Sequence, residues 1–271
     1  WACAAAGAAV PGLLRALPGR LLGRLGGCRP QDFSNLAWAL GTVAAPAGRD
    51  GGEEQRLLSA VARGAAGRLR DFKPQEVANL AWGFARLRAH EPELFRAIES
   101  EAVEGLGDFG PQELANLLWA YATLMPGSSS PLARAAAEAA LALLGDFGPQ
   151  ELANFVWALA KSNVTLPAFR RASAGLATER IEEFKPQELS NLAWAFAAQA
   201  WREPEFCSAA SQAALARMAD FGPQALANLA WAFATLAAGE PGLLQAVARE
   251  AQGKLEAFKP QELSNLAWAF A

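Results

Sequence analysis

The sequence predicts an all-α fold, an α-solenoid (superhelix) of about seven two-helix repeats of 37–38 residues. Pro-Gln pairs begin at Pro30, Pro74, Pro111, Pro149, Pro186, Pro223 and Pro260, at spacings of 44, 37, 38, 37, 37 and 37 residues. Each pair opens nearly the same block: PQEVANLAWGFA from Pro74, PQELANLLWAYA from Pro111, PQELANFVWALA from Pro149, and PQELSNLAWAFA from both Pro186 and Pro260. Asn follows the proline by five residues every time and Trp by eight, which puts seven of the nine tryptophans in one register. A fixed period of this length marks an array whose units bury their apolar faces on their neighbours.

Taken in order through one repeat, the first helix is the segment ahead of each block, such as Leu94–Leu106 (LFRAIESEAVEGL) or Phe169–Ile181. A short junction follows, such as Gly107–Gly110 (GDFG), with Phe two residues before each proline and Cys28 in its place in the first copy. The block itself is the second helix. Proline suits the first helical position because its φ is already helical and it has no N–H to leave unpaired, and the following Glu suits the positive end of the helix dipole. With the proline as position 1 and 100° per residue, Leu at 4, Ala at 8 and Phe or Leu at 11 share one face. The expected core therefore contains Phe109, Leu114, Leu117 and Tyr121 with their counterparts in the other repeats.

The departures from period 37 read as surface loops between the two helices: Ala45–Glu53 (APAGRDGGE) and Pro126–Pro131 (PGSSSP). No domain boundary is visible, so residues 1–271 form one expected array. Trp1 lies 37 residues before Trp38 and opens WACA where later copies read WAFA, and the chain stops inside the last block. The expectation is a segment truncated mid-repeat at both ends, without any targeting segment.

Composition sets the excluded classes. With 52% hydrophobic and 19% charged residues the chain can bury a core. Twenty-four Lys and Arg against 27 Asp and Glu give a net charge of −3, which argues against a strongly basic, non-specific nucleic-acid binder. Cys3, Cys28 and Cys207 are too few and too scattered for a disulfide framework or a zinc site, and read as small core side chains. His90, the single histidine, lies beside Glu91 and Glu93 in a loop. No apolar run reaches the ~18 residues of a membrane span. No catalytic residue, metal or cofactor is expected, and the chain does not read as an enzyme.

What the repeat does offer is a polar and aromatic stripe. Positions 2, 6, 9 and 13 fall within about 60° of one another, opposite the Leu/Phe face. They read Gln31-Asn35-Trp38-Thr42, Gln75-Asn79-Trp82-Arg86, Gln112-Asn116-Trp119-Thr123, Gln150-Asn154-Trp157-Lys161, Gln187-Asn191-Trp194-Ala198 and Gln224-Asn228-Trp231-Thr235. Stacked at an interhelical distance of roughly 8–10 Å, these residues form parallel ladders. Their chemistry fits single-stranded RNA: the ring stacks on a base, the amide bonds a base edge, and Arg86 or Lys161 meets phosphate. The same Trp and Asn also fit a purely structural role, as packing between repeats and as satisfaction of backbone groups. Position 13 varies most and is the candidate for any sequence preference. The residues just before each proline (Arg29, Lys73, Gly110, Gly148, Lys185, Gly222, Lys259) read as caps and local charge pairs with nearby Asp and Glu.

The PQELANLAWAFA-type block, recurring throughout the chain, resembles the octotricopeptide repeats of algal organelle proteins and the heptatricopeptide repeats of protist mitochondrial proteins. It is similar in kind to the helical repeats of FAST-kinase-type proteins and of a subunit of the kinetoplastid RNA-editing substrate-binding complex. The resemblance implies an RNA-binding α-solenoid of mitochondria or chloroplasts, acting on transcript processing, stability or translation. Two hypotheses follow. One is an organellar scaffold that grips single-stranded RNA; the other is a solenoid that binds protein subunits within a ribonucleoprotein complex without touching RNA.

Overall fold

A computed structural model of the chain describes residues 20–43, 51–127, 130–239 and 241–271. The fold is an all-α array of helical repeats, with no strand among the described residues. In order, the helices are α1 (Pro30–Val43), α2 (Gly51–Ala66), α3 (Pro74–Arg86), α4 (Pro92–Gly105), α5 (Pro111–Leu124), α6 (Pro131–Ala142), α7 (Pro149–Lys161), α8 (Pro167–Glu179), α9 (Pro186–Ala198), α10 (Pro204–Ala216), α11 (Pro223–Leu236), α12 (Leu243–Gln252) and α13 (Pro260–Ala269). The odd-numbered helices are the Pro-Gln blocks, and each begins on its proline.

The junctions explain why. A residue preceding proline is driven out of the helical region, and Lys73 and Gly110 are accordingly extended, with ψ of 155° and 175°. The even helices therefore stop short of the positions to which their sequence pattern runs. Helix α4 ends at Gly105 and α8 at Glu179, and Leu106–Asp108 and Ile181–Glu183 form single 3₁₀ turns instead. The same turn recurs at Leu69–Asp71, Leu144–Asp146, Met218–Asp220 and Leu255–Ala257, tightening the last turn before the chain extends.

The chain divides into two compact units, residues 1–136 and 137–271. In the first, α1, α3 and α5 pack in sequence and α2 packs on α4; in the second, α7, α9, α11 and α13 pack in sequence, as do α8, α10 and α12. Each unit is thus two layers of helices with the apolar residues between them. The expected core residues Phe109, Leu114, Leu117 and Tyr121 are all buried, as are their counterparts Phe72, Phe184, Leu192 and Phe196. The Tyr121 hydroxyl, with its pKa raised by burial and by the neighbouring Glu99 carboxylate, donates to the Phe95 carbonyl.

Two expectations shift, and others fall outside the described residues. Cys28 is only half-buried, its thiol directed at the Arg24 carbonyl 3.7 Å away, whereas Cys207 is buried in α10. Gly51, expected in a loop, already begins α2; the rest of that loop's start, residues 45–50, lies outside the described residues. Trp1 and Cys3 lie outside them too, as do Ser128 and Ser129 of the second insertion, whose Gly127 turns at φ 79°.

Candidate nucleic-acid interface

Parallel stacking of identical helices brings like positions together, and position 9 becomes a ladder of indoles. In the first unit Trp38 and Trp82 lie 6.4 Å apart between ring centroids, and so do Trp82 and Trp119. In the second, Trp157–Trp194, Trp194–Trp231 and Trp231–Trp268 are 6.5, 5.7 and 5.9 Å apart. The planes are inclined by only 27–38°, close to the offset-stacked arrangement that aromatic pairs favour. Every ring from Trp38 to Trp231 is half-buried. Alongside runs the amide row: the glutamines Gln31, Gln75, Gln112, Gln150, Gln187 and Gln224 are exposed and the asparagines half-buried, except the exposed Asn35. Adjacent rungs can bond directly, as Asn228 Nδ2 donates to Asn191 Oδ1 at 3.1 Å.

The ring spacing bears on how the ladder could meet a base. Sandwiching a base between two rings needs about twice the ~3.4 Å stacking rise, and the inner rings Trp82, Trp194 and Trp231 already have a neighbour within 6.5 Å on either side. Each of these rings therefore has an indole neighbour on both sides. What the ladder presents is indole edges flanked by amides.

Position 13 supplies the charge. The Arg86 guanidinium lies 5.6 Å from the centroid of Trp82, and Lys161 Nζ lies 5.7 Å from Trp157 and 4.7 Å from Trp194. Such cation–π contacts are each worth about 0.5–1 kcal/mol at exposed sites, so they hold the two cations on the stripe. Thr42 Oγ1 donates to the Trp38 carbonyl at 2.8 Å, whereas the buried Oγ1 atoms of Thr123 and Thr235 have no partner. Ala198 is exposed.

No carboxylate occupies positions 2, 6, 9 or 13 in any block, although the chain holds 27 acidic residues. The acids at position 3 turn back on the helix start: Asp32, Glu76, Glu188 and Glu262 accept the N–H of Arg29, Lys73, Lys185 and Lys259 at 2.8–2.9 Å. Arg29, Lys73, Lys185 and Lys259 are thus held in capping contacts. Hydrogen bonds from the Arg29 side chain and N–H keep the Asp32 carboxyl below its ordinary pKa, and Arg180 does the same for Glu183.

Sequence reasoning missed a second recurring cation, six residues before five of the seven block prolines. Arg68 Nη1 donates to the Cys28 carbonyl at 3.0 Å, Arg180 Nη1 to Phe147 at 2.8 Å, Arg217 Nη1 to Phe184 at 3.1 Å and Lys254 Nζ to Phe221 at 2.8 Å. Each ties an even helix to the extended residue that opens the preceding block. The signal was available in the sequence, since Arg24, Arg68, Arg180, Arg217 and Lys254 share one phase, but Gly105 and Leu143 interrupt it.

Among the described residues no group of three or more His, Cys, Asp or Glu could hold a metal ion, and no helix is long and apolar enough to cross a membrane. His90 is exposed, and burial raises the pKa of the Cys207 thiol.

A protein family described only as of unknown function (DUF1601) matches residues 54–80 and 241–266. Both segments cover the same part of the repeat, from the even helix through the 3₁₀ turn to the Asn-Leu pair of the next block. Comparison with curated proteins gives no match.

Proposed function

We propose that this chain is a helical-repeat scaffold for single-stranded RNA, with the stripe of positions 2, 6, 9 and 13 in each of its two units as a contact surface. The observation that carries this reading is the sign of the charge there. In a chain of net charge −3 the stripe holds no carboxylate, and its only charged groups, Arg86 and Lys161, are cations resting on the Trp ladder. A partner rich in Lys or Arg would want acids on such a surface; a polyanion wants what is there. The Gln and Asn amides offer both donors and acceptors to base edges. One rung per repeat suits a linear polymer of repeating units. In keeping with the resemblance to octotricopeptide and heptatricopeptide repeats, the proposed setting is transcript processing, stability or translation in a mitochondrion or chloroplast.

The test is fluorescence anisotropy of a labelled oligouridine titrated with the chain at several salt concentrations. With one cation on the stripe of each unit, log K should fall with log[salt] at a shallow slope, each neutralised phosphate contributing about −0.7. The double variant Arg86→Glu, Lys161→Glu should lose most of the affinity and keep its helicity by circular dichroism. Failure of the unsubstituted chain to bind at low salt would overturn the reading in favour of a protein-binding solenoid.

A further inference from the structure

An indole carries one N–H and donates without accepting. The inner rings of the ladder are Trp82 in the first unit and Trp194 and Trp231 in the second, each with an indole neighbour on both sides. Among the described residues, none of these three N–H groups donates to another group of the chain, and none is buried without a partner. Trp201, which lies off the ladder, is the tryptophan whose N–H is buried and unpaired. The three ladder N–H groups are therefore open to water, on rings that are otherwise half-buried. The cations rest on the same rings: Lys161 Nζ is 4.7 Å from the centroid of Trp194, and the Arg86 guanidinium is 5.6 Å from that of Trp82. Each unit thus combines open donors with a fixed positive charge, and positions 2, 6, 9 and 13 hold no carboxylate that could take those donors up.

We infer that the ladder holds the phosphate oxygens of its polyanion, rather than its bases, through the indole N–H groups together with Arg86 and Lys161. This rests on the RNA reading above and says which part of the strand the rings meet. A donor repeated identically in every block suits the part of the strand that is identical in every nucleotide, and that is the phosphodiester. Its charged oxygens accept and do not donate, which matches a surface of N–H groups and cations. Hydrogen bonds to an ionised acceptor are about twice as strong as neutral ones, and the ammonium or guanidinium on the ring adds the ionic contribution. The exposed Gln75, Gln187 and Gln224 are then left for base edges.

The probe is inorganic polyphosphate, which has a phosphate chain and neither base nor sugar. In an isotope-labelled chain at low salt, it should move the indole N–H resonances of Trp82, Trp194 and Trp231 and leave that of buried Trp201 in place. It should also displace labelled oligouridine in the anisotropy assay. Trp194→Phe keeps a ring and loses the N–H, so it should weaken polyphosphate and oligouridine alike, by about three- to tenfold, with helicity unchanged. Oligouridine that binds but is not displaced by polyphosphate overturns the inference and leaves the RNA reading standing. So do ladder resonances that stay in place when polyphosphate binds, and so does a Trp194→Phe loss confined to oligouridine, because the ring would then be meeting bases. Ladder resonances that move with polyphosphate in a chain that binds no oligouridine would uphold the phosphate site and overturn the RNA reading instead.

Discussion

Helices α9 and α13 share one sequence and little else. Phe196 on α9 is fully buried, while Phe270, its equal on α13, is 45% exposed. Leu192 is buried and Leu266 only half so. Intrinsic propensity, capping and amphipathic pattern are the same in both, and both begin on proline with a glutamate accepting the Lys N–H at 2.9 Å. The helix is therefore a local property of the block, whereas its core is made by the neighbours. That division is what a quasi-one-dimensional array implies, in which stability is a sum of unit and interface terms.

The largest expected effect splits the pair directly. Phe196→Ala removes a buried ring that packs on Phe206 at 4.6 Å and on Trp201 at 5.3 Å between centroids, at a cost of about 3–5 kcal/mol. Phe270→Ala, the same substitution in the same sequence, should cost well under half as much. Urea unfolding of the two variants reads the difference, and equal midpoint shifts would show that the neighbours do not set the core.

How closely two blocks approach is the next variable. In α9, position 10 is Ala195; in α3 it is Gly83, where an added Cβ would come within 2.4 Å of the Ala37 carbonyl oxygen. That atom is backbone, so the helices must move apart. Gly83→Ala should destabilise by about 1–3 kcal/mol as overpacking, although alanine is ordinarily the better helix former. Ala195→Gly should cost only the ~1 kcal/mol of propensity. A stabilised Gly83→Ala chain in a thermal melt would mean that α1 and α3 have room to spare.

The start of the block sharpens the comparison further. Arg217 grips the Phe184 carbonyl ahead of α9, a bond across the repeat interface that follows from packing of α10. Arg217→Met keeps much of the aliphatic stem and drops the donor, for a loss of about 1 kcal/mol. Arg180, which carries the same bond to Phe147, is its internal control. An unchanged melting midpoint would make the contact incidental.

Much of this architecture was legible because it is local and periodic. Proline fixes where Pro74 or Pro186 begins a helix, and the 3.6-residue turn fixes that Gln75, Asn79, Trp82 and Arg86 share a face. Distances across the interface were not legible. Periodicity predicts a ladder, but the 5.7 Å between Trp194 and Trp231 depends on how far the rings lean. The Arg217 bond needs both the 3₁₀ turn and the partner repeat, neither of which a single block reveals. The half-burial of Cys28, where later copies place a buried Phe, likewise depends on what packs beside it.

The smallest expected effect lies at the other end of α9. After the helix, Ala200 adopts φ 54°, and the Trp201 N–H turns back to the Phe196 carbonyl at 2.8 Å. The left-handed residue and the bond spanning it close the helix in the manner of a Schellman motif, which favours Gly or Asn at that point. Asn163 occupies the matching place after α7, with φ 53° and the Val164 N–H bonded to the Leu159 carbonyl at 3.0 Å. An alanine there carries the steric penalty of its Cβ in the left-handed region, partly offset because glycine leaves the unfolded chain more freedom. Ala200→Gly should therefore raise stability by about 0.5–1 kcal/mol, and Ala200→Asn by somewhat less. Residues of α13 should be unaffected in amide hydrogen exchange, since the gain is confined to the turn that ends α9. A lower midpoint for Ala200→Gly would mean that the Ala200 methyl contributes packing worth more than the strain it causes.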